Sequence, residues 1–320
     1  MRRRLPLLLL FLASCATTPS PVAGAGQASG ASDHPLVGRI YDVRSGAFVA
    51  REALEQAVAR ADLVLLGEVH DNPEHHRLQA SLVRAAARGG GRPAVAFEMI
   101  DVNLQPALES AGGEPEAVAA AVDWDRSGWP SFALYRPIFE VAQAEELRLI
   151  AANLPRAAAR AVVMEAADSL EPALQAEVER HWPRGAGQLA AAHEEMRVAH
   201  CGHLPEAMLE PMVLAQLARD AQLARSLLNG AGEGRAILIA GNGHVRRSGV
   251  PRLLDGLAPG RRRVSVGMFE VDPEVTSASE AVRAADAASE GRAPAFDFVL
   301  FTPAQDREDP CEGLKKKAGG

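Results

Sequence analysis

The sequence predicts an α/β protein with a mostly parallel central sheet flanked by helices, and three observations support this fold class. Apolar runs of strand length recur at residues 63–66, 94–97, 147–152 and 236–240, as expected of strands that are buried on both faces. Each run is followed by a polar segment that permits a helix, so strands and helices alternate. About 285 residues follow residue 35, which is enough for one large domain.

The remaining elements extend this alternation in chain order. Residues 38–49 predict a hairpin or a pair of short strands, and residues 51–61 predict a helix that leads into the first core strand. Pro73 suits the first turn of the next helix. Further helices are expected at residues 73–87, 102–110, 114–122 and 136–146, and two last strands at residues 263–271 and 296–301.

A large helical insertion is expected before the fourth core strand. Residues 156–228 show no strand pattern and are rich in alanine, with prolines as breaks between helices. We interpret this insertion as a helical cap. The domain as a whole is expected to span residues 36–314, and residues 315–320 form a solvated tail.

The N-terminal segment predicts export and lipid anchoring. A basic start at residues 1–4 precedes an apolar stretch at residues 5–13, which is typical of a secretory signal and too short to span a membrane. The stretch ends in Leu-Ala-Ser-Cys, which resembles the lipobox of bacterial lipoproteins. We therefore expect removal of residues 1–14, lipidation of Cys15, and a flexible tether over residues 15–35. The alternative is an ordinary signal peptide with an incidental cysteine.

Charge and cysteine content restrict the partners of the mature chain. The formal net charge is −7, and removal of residues 1–14 takes away three arginines and leaves −10. An acidic surface without a basic stripe argues against a nucleic-acid partner. Cys201 and Cys311 remain in the exported chain, where a disulfide is plausible, but the sequence leaves their pairing open.

Polar side chains with metal-binding or proton-transfer capacity follow the core strands. In open α/β sheets the carboxyl ends of the strands share one edge, and ligands bind there. We therefore expect one cluster formed by Glu68, His70, Glu98 and His244, supported by Asn153 and Asn242. His75 and His76 are adjacent on a helix and point in different directions, so at most one of them should join the cluster. A structural hydrogen-bond network remains the alternative interpretation.

The phrase LLGEVHDNPEHHRLQ resembles the ChaN family of haem-binding uptake lipoproteins, part of the wider Tiki and erythromycin-esterase-like superfamily. The Asp-Asn-Pro-x-His-His continuation and the phrase Gly-Asn-Gly-His are specific to the ChaN branch, whereas Gly-Glu-x-His alone would indicate only the superfamily. Supporting phrases occur in the expected order along the chain: AFEMID, DWDRSGWPSFALYRPI, AANLPR, AHCGHLP, GNGHVRRSGVP and DREDPCEGL.

The resemblance implies haem binding at an outer-membrane surface, a homodimer around stacked haems, and a tyrosine as iron ligand. The chain has two tyrosines. Tyr41 matches no family phrase, so Tyr135 is the expected iron ligand, and Trp129 and Phe132 are expected to cover a porphyrin face. The alternative is a core tyrosine whose hydroxyl is hydrogen-bonded.

The helical insertion contributes further candidate haem ligands. His193, His200 and His203 lie close together in the sequence, and one of them is a candidate second ligand. Surface histidines without such a role are the more common case. The segment beginning at His193 is not a His-Glu-x-x-His zinc motif, because Arg197 occupies the last position.

An enzyme is the alternative function. Elsewhere in the superfamily, residues matching Glu68, His70, Glu98 and His244 line a hydrolytic site, with or without a metal. Two carboxylates and two imidazoles are suited to activating water, so a metal-dependent esterase or protease is the competing hypothesis. The cluster would then bind a divalent metal, which is also conceivable as an auxiliary site in a haem carrier. The sequence has no Gly-x-Ser-x-Gly phrase and no Walker loop.

Overall fold

A computed structural model describes residues 33–183, 185–285 and 295–307, together with Cys311. The predicted signal peptide, the lipidation site at Cys15 and most of the tether therefore lie outside the described residues, as does the tail over residues 315–320. Within the described ranges, no helix combines the length and the apolar character needed to cross a bilayer.

The centre of the protein is an eight-stranded sheet with the order β2-β1-β8-β7-β3-β6-β4-β5. The six strands from β8 to β5 are parallel, and β1 and β2 add an antiparallel hairpin at one edge. This confirms the predicted fold class and the predicted hairpin. The strands are β1 Ile40–Asp42, β2 Ala47–Val49, β3 Leu63–Leu66, β4 Ala94–Asp101, β5 Leu149–Asn153, β6 Ala236–Ile239, β7 Arg263–Glu270 and β8 Phe298–Thr302.

Helices cover both faces of the sheet. They are α1 Arg51–Arg60, α2 Pro73–Arg88, α3 Gln105–Ser110, α4 Pro115–Ala121, α5 Trp124–Ser127, α6 Phe132–Ala144, α7 Arg156–Glu165, α8 Pro172–His181, α9 Ala186–Ala199, α10 Glu206–Ala231, α11 Asn242–Val245, α12 Val250–Leu257 and α13 Ala278–Ala285. Short 3-10 helices occupy Val102–Leu104 and Ala167–Ser169.

The alternation of side chains along the strands builds two cores. In β3, Leu63 and Leu65 pack in a cluster with apolar residues of α10 and α12, whereas Val64 and Leu66 pack in a cluster with α1, α2 and α6. Successive residues of a strand point to opposite faces, so one short apolar strand contributes to both cores. This explains why β3 is apolar throughout.

The helical segment between β5 and β6 differs from the expected cap. The sequence predicts a cap over residues 156–228, but α10 packs against the sheet, with Leu217, Ala221 and Leu223 buried in the same core as Ile150 of β5. Only α7 to α9 remain as an insertion. The structure joins Cys201, which follows α9, to Cys311 by a disulfide with a Cα–Cα distance of 5.6 Å.

Candidate functional site at the carboxyl edge of the sheet

Two glycines allow the ends of β3 and β6 to approach each other. A Cβ atom added to Gly67 would lie 2.2 Å from Asn242 Oδ1, and one added to Gly241 would lie 2.9 Å from His70 Nε2. Neither position therefore accepts a side chain without displacement of its neighbours. This close approach places Glu68 and His70, which follow β3, beside the segment that carries His244.

Glu68 is buried and accepts several hydrogen bonds. Its Oε1 accepts from the hydroxyl of Tyr135 at 2.8 Å and from Nδ1 of His70 at 2.7 Å. Its Oε2 faces Nδ1 of His76 at 3.3 Å. Burial alone would raise the pKa of Glu68, but the hydrogen bonds from His70 and His76 outweigh burial and hold its pKa far below the usual range.

The start of α2 fixes two further histidines. Asn72 caps the helix by accepting from the backbone N–H groups of Glu74 and His75, and Pro73 occupies the first turn as expected. Nδ1 of His75 accepts from the Val69 N–H at 2.9 Å. Nε2 of His75 consequently carries the proton and donates to Thr302 Oγ1 at 2.8 Å. This imidazole is neutral, and burial lowers its pKa to about 3.

His76 is the helix histidine that joins the cluster. Its Nε2 donates to the carbonyl of His70 at 3.0 Å, while its Nδ1 faces Glu68 and Gln79. Burial works against protonation, but the hydrogen bond to Glu68 prevails and raises the pKa of His76. The expectation that at most one of the adjacent histidines joins the cluster agrees with this arrangement.

The second half of the cluster is centred on His244. Its Nε2 lies 3.2 Å from Glu98 Oε1, and its Nδ1 lies 2.6 Å from Asp220 Oδ1. All three side chains are buried. Burial would lower the pKa of His244, but the charges of Glu98 and Asp220 overcome it and raise the pKa to about 9. His244 is therefore an imidazolium held between two carboxylates at neutral pH.

Glu98 links His244 to the backbone and to an arginine. Its Oε2 accepts from the Gly241 N–H at 2.8 Å, and its Oε1 accepts from Arg219 Nη2 at 2.7 Å. Burial acts to raise the pKa of Glu98, but the charge and hydrogen bond of His244 lower it to about 2. Glu98 lies inside β4, whereas the sequence pattern ended the strand at residue 97.

The two asparagines have different roles from each other. Asn153 Oδ1 accepts from Arg219 Nε at 3.3 Å and so supports the arginine that binds Glu98. The side chain of Asn242 instead exchanges two hydrogen bonds with the backbone of Met268. The predicted role of Asn242 in orienting the acids is wrong in this respect, because its amide fastens the end of β6 to β7.

A solvent-open cavity of about 530 Å³ adjoins the cluster. Its lining includes the apolar residues Met99, Leu104, Trp129 and Leu154, the basic residues Arg126, Arg156 and Arg219, and the acidic residues Asp101 and Asp123. Trp129 connects the cavity to the cluster, because its ring centroid lies 4.8 Å from that of His70 in an edge-to-face arrangement. Arg219 makes a second connection through its ion pair with Glu98.

Comparison with known proteins identifies the family. The sequence profile of the haem-binding uptake family ChaN, in the Tiki superfamily, matches residues 54–254. This chain belongs to the ChaN family. The matched range exceeds half of the chain and contains Glu68, His70, Glu98 and His244. The resemblance inferred from the sequence phrases is thereby confirmed. A sequence search of curated proteins finds no significant match.

Three solved structures resemble this chain to different degrees. A structure described as cofacial haem binding to ChaN of Campylobacter jejuni is 18% identical, with a TM-score of 0.61 over 82% of this chain and 95% of that chain. A mutant of the erythromycin esterase EreC in its open conformation is 13% identical, with a TM-score of 0.45 over 81% of this chain and 95% of that chain. The type III effector HopBA1 is 12% identical, with a TM-score of 0.39 over 79% and 92%.

Tyr135, the iron ligand implied by the ChaN resemblance, is not presented to the cavity. Its side chain is completely buried, and its ring packs against His76 and Trp124 with centroid separations of 4.1 and 5.0 Å. Burial and the charge of Glu68 raise the pKa of Tyr135 far above its usual range, which opposes formation of a phenolate. The expected accessible ligand is corrected to a core tyrosine that donates to Glu68.

The aromatic residues expected to cover a porphyrin lie in different surroundings. Phe132 is buried and packs edge-to-face on Trp124, with ring centroids 5.2 Å apart. Phe132 is the first residue of α6, and its side chain belongs to the core between α6 and the sheet. It does not line the cavity. Trp129 is half-buried and does line it. Of these two aromatic residues, Trp129 alone lines the cavity in which a porphyrin is expected.

The three histidines of the insertion are not part of the cluster. His193 lies in α9, where its Nε2 is buried without a hydrogen-bond partner. His200 donates from Nδ1 to the carbonyl of Met196 at 2.8 Å and so closes the end of α9. His203 is exposed in the loop before α10. Their proposed role as haem ligands stays a prediction.

The Glu/His cluster does not have the geometry of a metal site. Across the part of the chain that the structure describes, no group of three or more His, Cys, Asp or Glu side chains has an arrangement suited to a metal ion. The reason is visible in the cluster, where Glu68 and Glu98 are already engaged by imidazoles, an arginine and a backbone N–H. Both oxygens of Glu98 and Oε1 of Glu68 accept hydrogen bonds from protein donors, whereas Oε2 of Glu68 faces Nδ1 of His76 at 3.3 Å without a hydrogen bond.

Sequence reasoning missed the contribution of α10. Gln216, Arg219 and Asp220 all reach the carboxyl edge from this helix and contact His244 or Glu98. Their spacing of three and four residues on one helix face was the available signal. The signal was weak because a helix face with these side chains is usually solvated.

Proposed function

We propose that this protein is a haem-binding lipoprotein that takes up or stores haem at a bacterial surface, and that the cavity beside Trp129 is its haem site. The observation that carries the proposal is the ChaN family match over residues 54–254. The range includes the cavity-lining residues from Met99 to Arg219 and the whole Glu/His cluster.

The chemistry of the cavity suits a porphyrin with carboxylate side chains. Met99, Leu104, Trp129 and Leu154 offer apolar surface for the ring. Arginine binds carboxylates with paired hydrogen bonds, so the exposed Arg126 and Arg156 are suited to the propionates. Arg126 would exchange its ion pair with Asp123 for the propionate. When bound, haem would supply an iron centre, and the cavity would hold the porphyrin that carries it.

A second groove lies apart from the Glu/His cluster. It has a volume of about 590 Å³ and lies between α1, α2 and the ends of β1 and β8. Its lining shares no residue with the cavity beside Trp129, and it includes none of Glu68, His70, Glu98 and His244.

Lipid anchoring and dimer formation belong to the same proposal. The lipobox-like phrase before Cys15 supports acylation at that residue, and the ChaN match supports a role in haem uptake. The Campylobacter jejuni relative is described as binding haem cofacially. A homodimer around stacked haems would place two copies of this cavity face to face.

Haem titration of the purified apo-protein tests the proposal. We expect a saturable shift of the Soret band, and about tenfold weaker binding after the double substitution Arg126→Gln and Arg156→Gln, which corresponds to about 1.4 kcal/mol. Arg92→Gln is the matched control, because Arg92 is an exposed arginine before β4, at the opposite edge of the sheet. No Soret shift at micromolar haem would refute haem binding. Equal affinity of all the variants would exclude this cavity.

A hydrolase is the second candidate function, favoured by one geometric feature. Glu68 fixes His70 through Nδ1, and such a pair is suited to activating water through the other ring nitrogen. Turnover of ester or peptide substrates that is lost after His70→Gln would support it, and inhibition by a chelator would make it metal-dependent. A Soret shift without turnover would leave haem carriage alone.

A further inference from the structure

We propose that the second groove, between α1, α2 and the ends of β1 and β8, binds a free fatty acid in its carboxylate form. The groove is separate from the cavity beside Trp129, so this inference does not depend on the proposed haem site. Its volume of about 590 Å³ lies within the usual range of small-molecule sites, about 300–1,000 Å³. A fatty acid combines an apolar chain with one carboxylate, and the groove offers apolar side chains to the first and arginines to the second.

The apolar part of the groove continues the core between the sheet and helices α1 and α2. Ile40 of β1 pairs in register with Leu300 of β8, and both residues line the groove. They belong to the same buried cluster as Leu54 of α1 and Leu82 of α2, which also line it. Within the described residues, α1 and α2 are the helices that line the groove. A strip of this apolar face therefore stays open between them and the strand ends.

The groove is long enough for an acyl chain. Its lining on α2 extends from Pro73 to Leu82, and this part of the helix rises by about 14 Å. The half-buried residues Val37, Leu78 and Pro303 add apolar surface to the lining. Each methylene group that leaves water for such a surface should strengthen binding by about fourfold. The affinity for a fatty acid should therefore increase with the length of its chain.

Two arginines of the lining meet at one part of α2. Arg51 of α1 donates from Nη2 to Oγ of Ser81, and Ser81 lies one helical turn after Arg77. Arg51 also binds Glu55, and Arg77 binds Glu74, but Nη1 of both arginines makes no hydrogen bond within the described residues. Both ion pairs are formed by exposed arginines, so they are weak and can be exchanged for a ligand carboxylate. We expect the carboxylate to bind between Arg51 and Arg77.

The charge of the lining favours an anionic ligand. The lining contains three arginines and one glutamate, on a chain with a formal net charge of −7. Arginine binds a carboxylate with paired hydrogen bonds, whereas an alcohol of the same chain length gains no ion pair. Val37 of the lining closely follows the tether over residues 15–35. The lipid anchor proposed at Cys15 would thus hold the groove near a membrane surface, where fatty acids concentrate.

Calorimetric titration with decanoate tests the site. The protein is the mature chain over residues 15–320 with Cys15→Ser, so that its own acyl groups do not enter the groove. We expect a single decanoate to bind, about tenfold more tightly than octanoate, which lacks two methylenes, and about tenfold more tightly than decanol, which lacks the charge. The double substitution Arg51→Gln and Arg77→Gln should remove the preference for decanoate over decanol. Arg84→Gln is the matched control, because Arg84 is an exposed arginine of α2 that pairs with Glu145 and does not line the groove.

Two further variants test the position of the ligand in the groove. Glu74→Gln removes the one carboxylate of the lining and the ion pair of Arg77, so it should tighten decanoate binding several-fold. Leu78→Trp places a larger side chain at a half-buried position of the lining and should abolish decanoate binding. The arginine and glutamate variants change exposed or half-buried side chains, so they test the site even if Leu78→Trp folds poorly.

Haem and lipid vesicles separate this inference from the other occupants of the groove. Haem binding that is unchanged by saturating decanoate would support two separate sites. Displacement of decanoate by haem would overturn the fatty-acid assignment and move the haem site to this groove. Binding to phosphatidylglycerol vesicles without binding of decanoate would make the groove a membrane contact and overturn the proposal. Equal affinities for decanoate and decanol, or decanoate affinities unchanged in the arginine double variant, would also overturn it and leave haem binding untouched.

Discussion

Nδ1 of His244 lies 2.6 Å from Oδ1 of Asp220, and both side chains are buried at the carboxyl edge of the sheet. His244 follows β6 and Asp220 lies in α10, so this ion pair fastens the long helix to the sheet at the site. Glu98 faces the other ring nitrogen. The two carboxylates therefore keep His244 protonated, and the opposite charges of the three side chains stabilise one another.

The stability of the protein should depend on pH in two opposite ways. The pKa of His244 rises from 6.5 to about 9, so its contribution is complete below pH 6.5 and is lost as the pH rises through 9. The pKa of Glu98 falls from 4.5 to about 2, so its contribution is complete above pH 4.5 and is lost as the pH falls through 2. The free energy of unfolding, measured with urea as a function of pH, should therefore be highest between about pH 4.5 and 6.5. A flat alkaline limb would contradict the raised pKa of His244.

Asp220→Asn should shift the alkaline limb. Removal of one carboxylate lowers the pKa of His244, so stability should begin to fall at lower pH, and the free energy of unfolding at pH 7 should drop by about 1–3 kcal/mol. Asp255→Asn is the matched control, because Asp255 pairs with Arg263 at the surface and should contribute about 1 kcal/mol or less. Equal pH profiles for Asp220→Asn and the wild-type protein would show that Asp220 does not hold the proton on His244.

Two glycines of the Gly-Asn-Gly-His segment should respond differently to alanine. A Cβ at Gly241 would meet the ring of His70, whereas a Cβ at Gly243 would have no atom within 4 Å. Gly241→Ala should therefore displace the imidazole and lower the free energy of unfolding by about 1–3 kcal/mol, and Gly243→Ala should leave it nearly unchanged. Urea unfolding at pH 7 measures both. Equal stabilities of the two variants would contradict the close approach of Gly241 to His70.

Tyr135→Phe should affect stability more than the haem spectrum. Loss of the hydroxyl removes a buried hydrogen bond to the Glu68 carboxylate and should lower the free energy of unfolding by about 1.5–3 kcal/mol. The spectrum of bound haem should stay as in the wild-type protein, because the ring is buried away from the cavity. Tyr41→Phe controls for loss of the other tyrosine hydroxyl. A spectrum changed only by Tyr135→Phe would restore the tyrosine as iron ligand.

Cys15→Ser should abolish membrane attachment. Acyl chains contribute about 0.8 kcal/mol per buried methylene, whereas the tether over residues 15–35 offers no apolar surface of this kind. The variant should therefore lack the lipid and either appear in the soluble fraction or stall during processing. Fractionation at high salt and mass spectrometry of the mature N-terminus measure this outcome. Normal membrane retention of the variant would demonstrate another anchor.

Local patterns predicted most of the fold and half of the site. Apolar runs gave the core strands, and the Asn72-Pro73 step gave the start of α2, because capping and burial act within a few residues. The convergence of Glu68, His70, Glu98 and His244 also followed from the sequence, since parallel strands share one carboxyl edge. The role of Tyr135 did not follow, because a tyrosine in an apolar phrase suits a ligand cavity and a core equally well.

By itself, the sequence determined the α/β class, the ChaN family and the edge of the sheet at which the polar residues gather. These depend on periodicity and on short phrases, which are local properties of the chain. Only the tertiary structure decided that α10 supplies Arg219 and Asp220, that Tyr135 donates to Glu68, and that His70 keeps a free nitrogen. Those outcomes depend on which side chains from distant segments compete for the same buried carboxylates. That competition is settled by packing in three dimensions and leaves no signature in the order of residues.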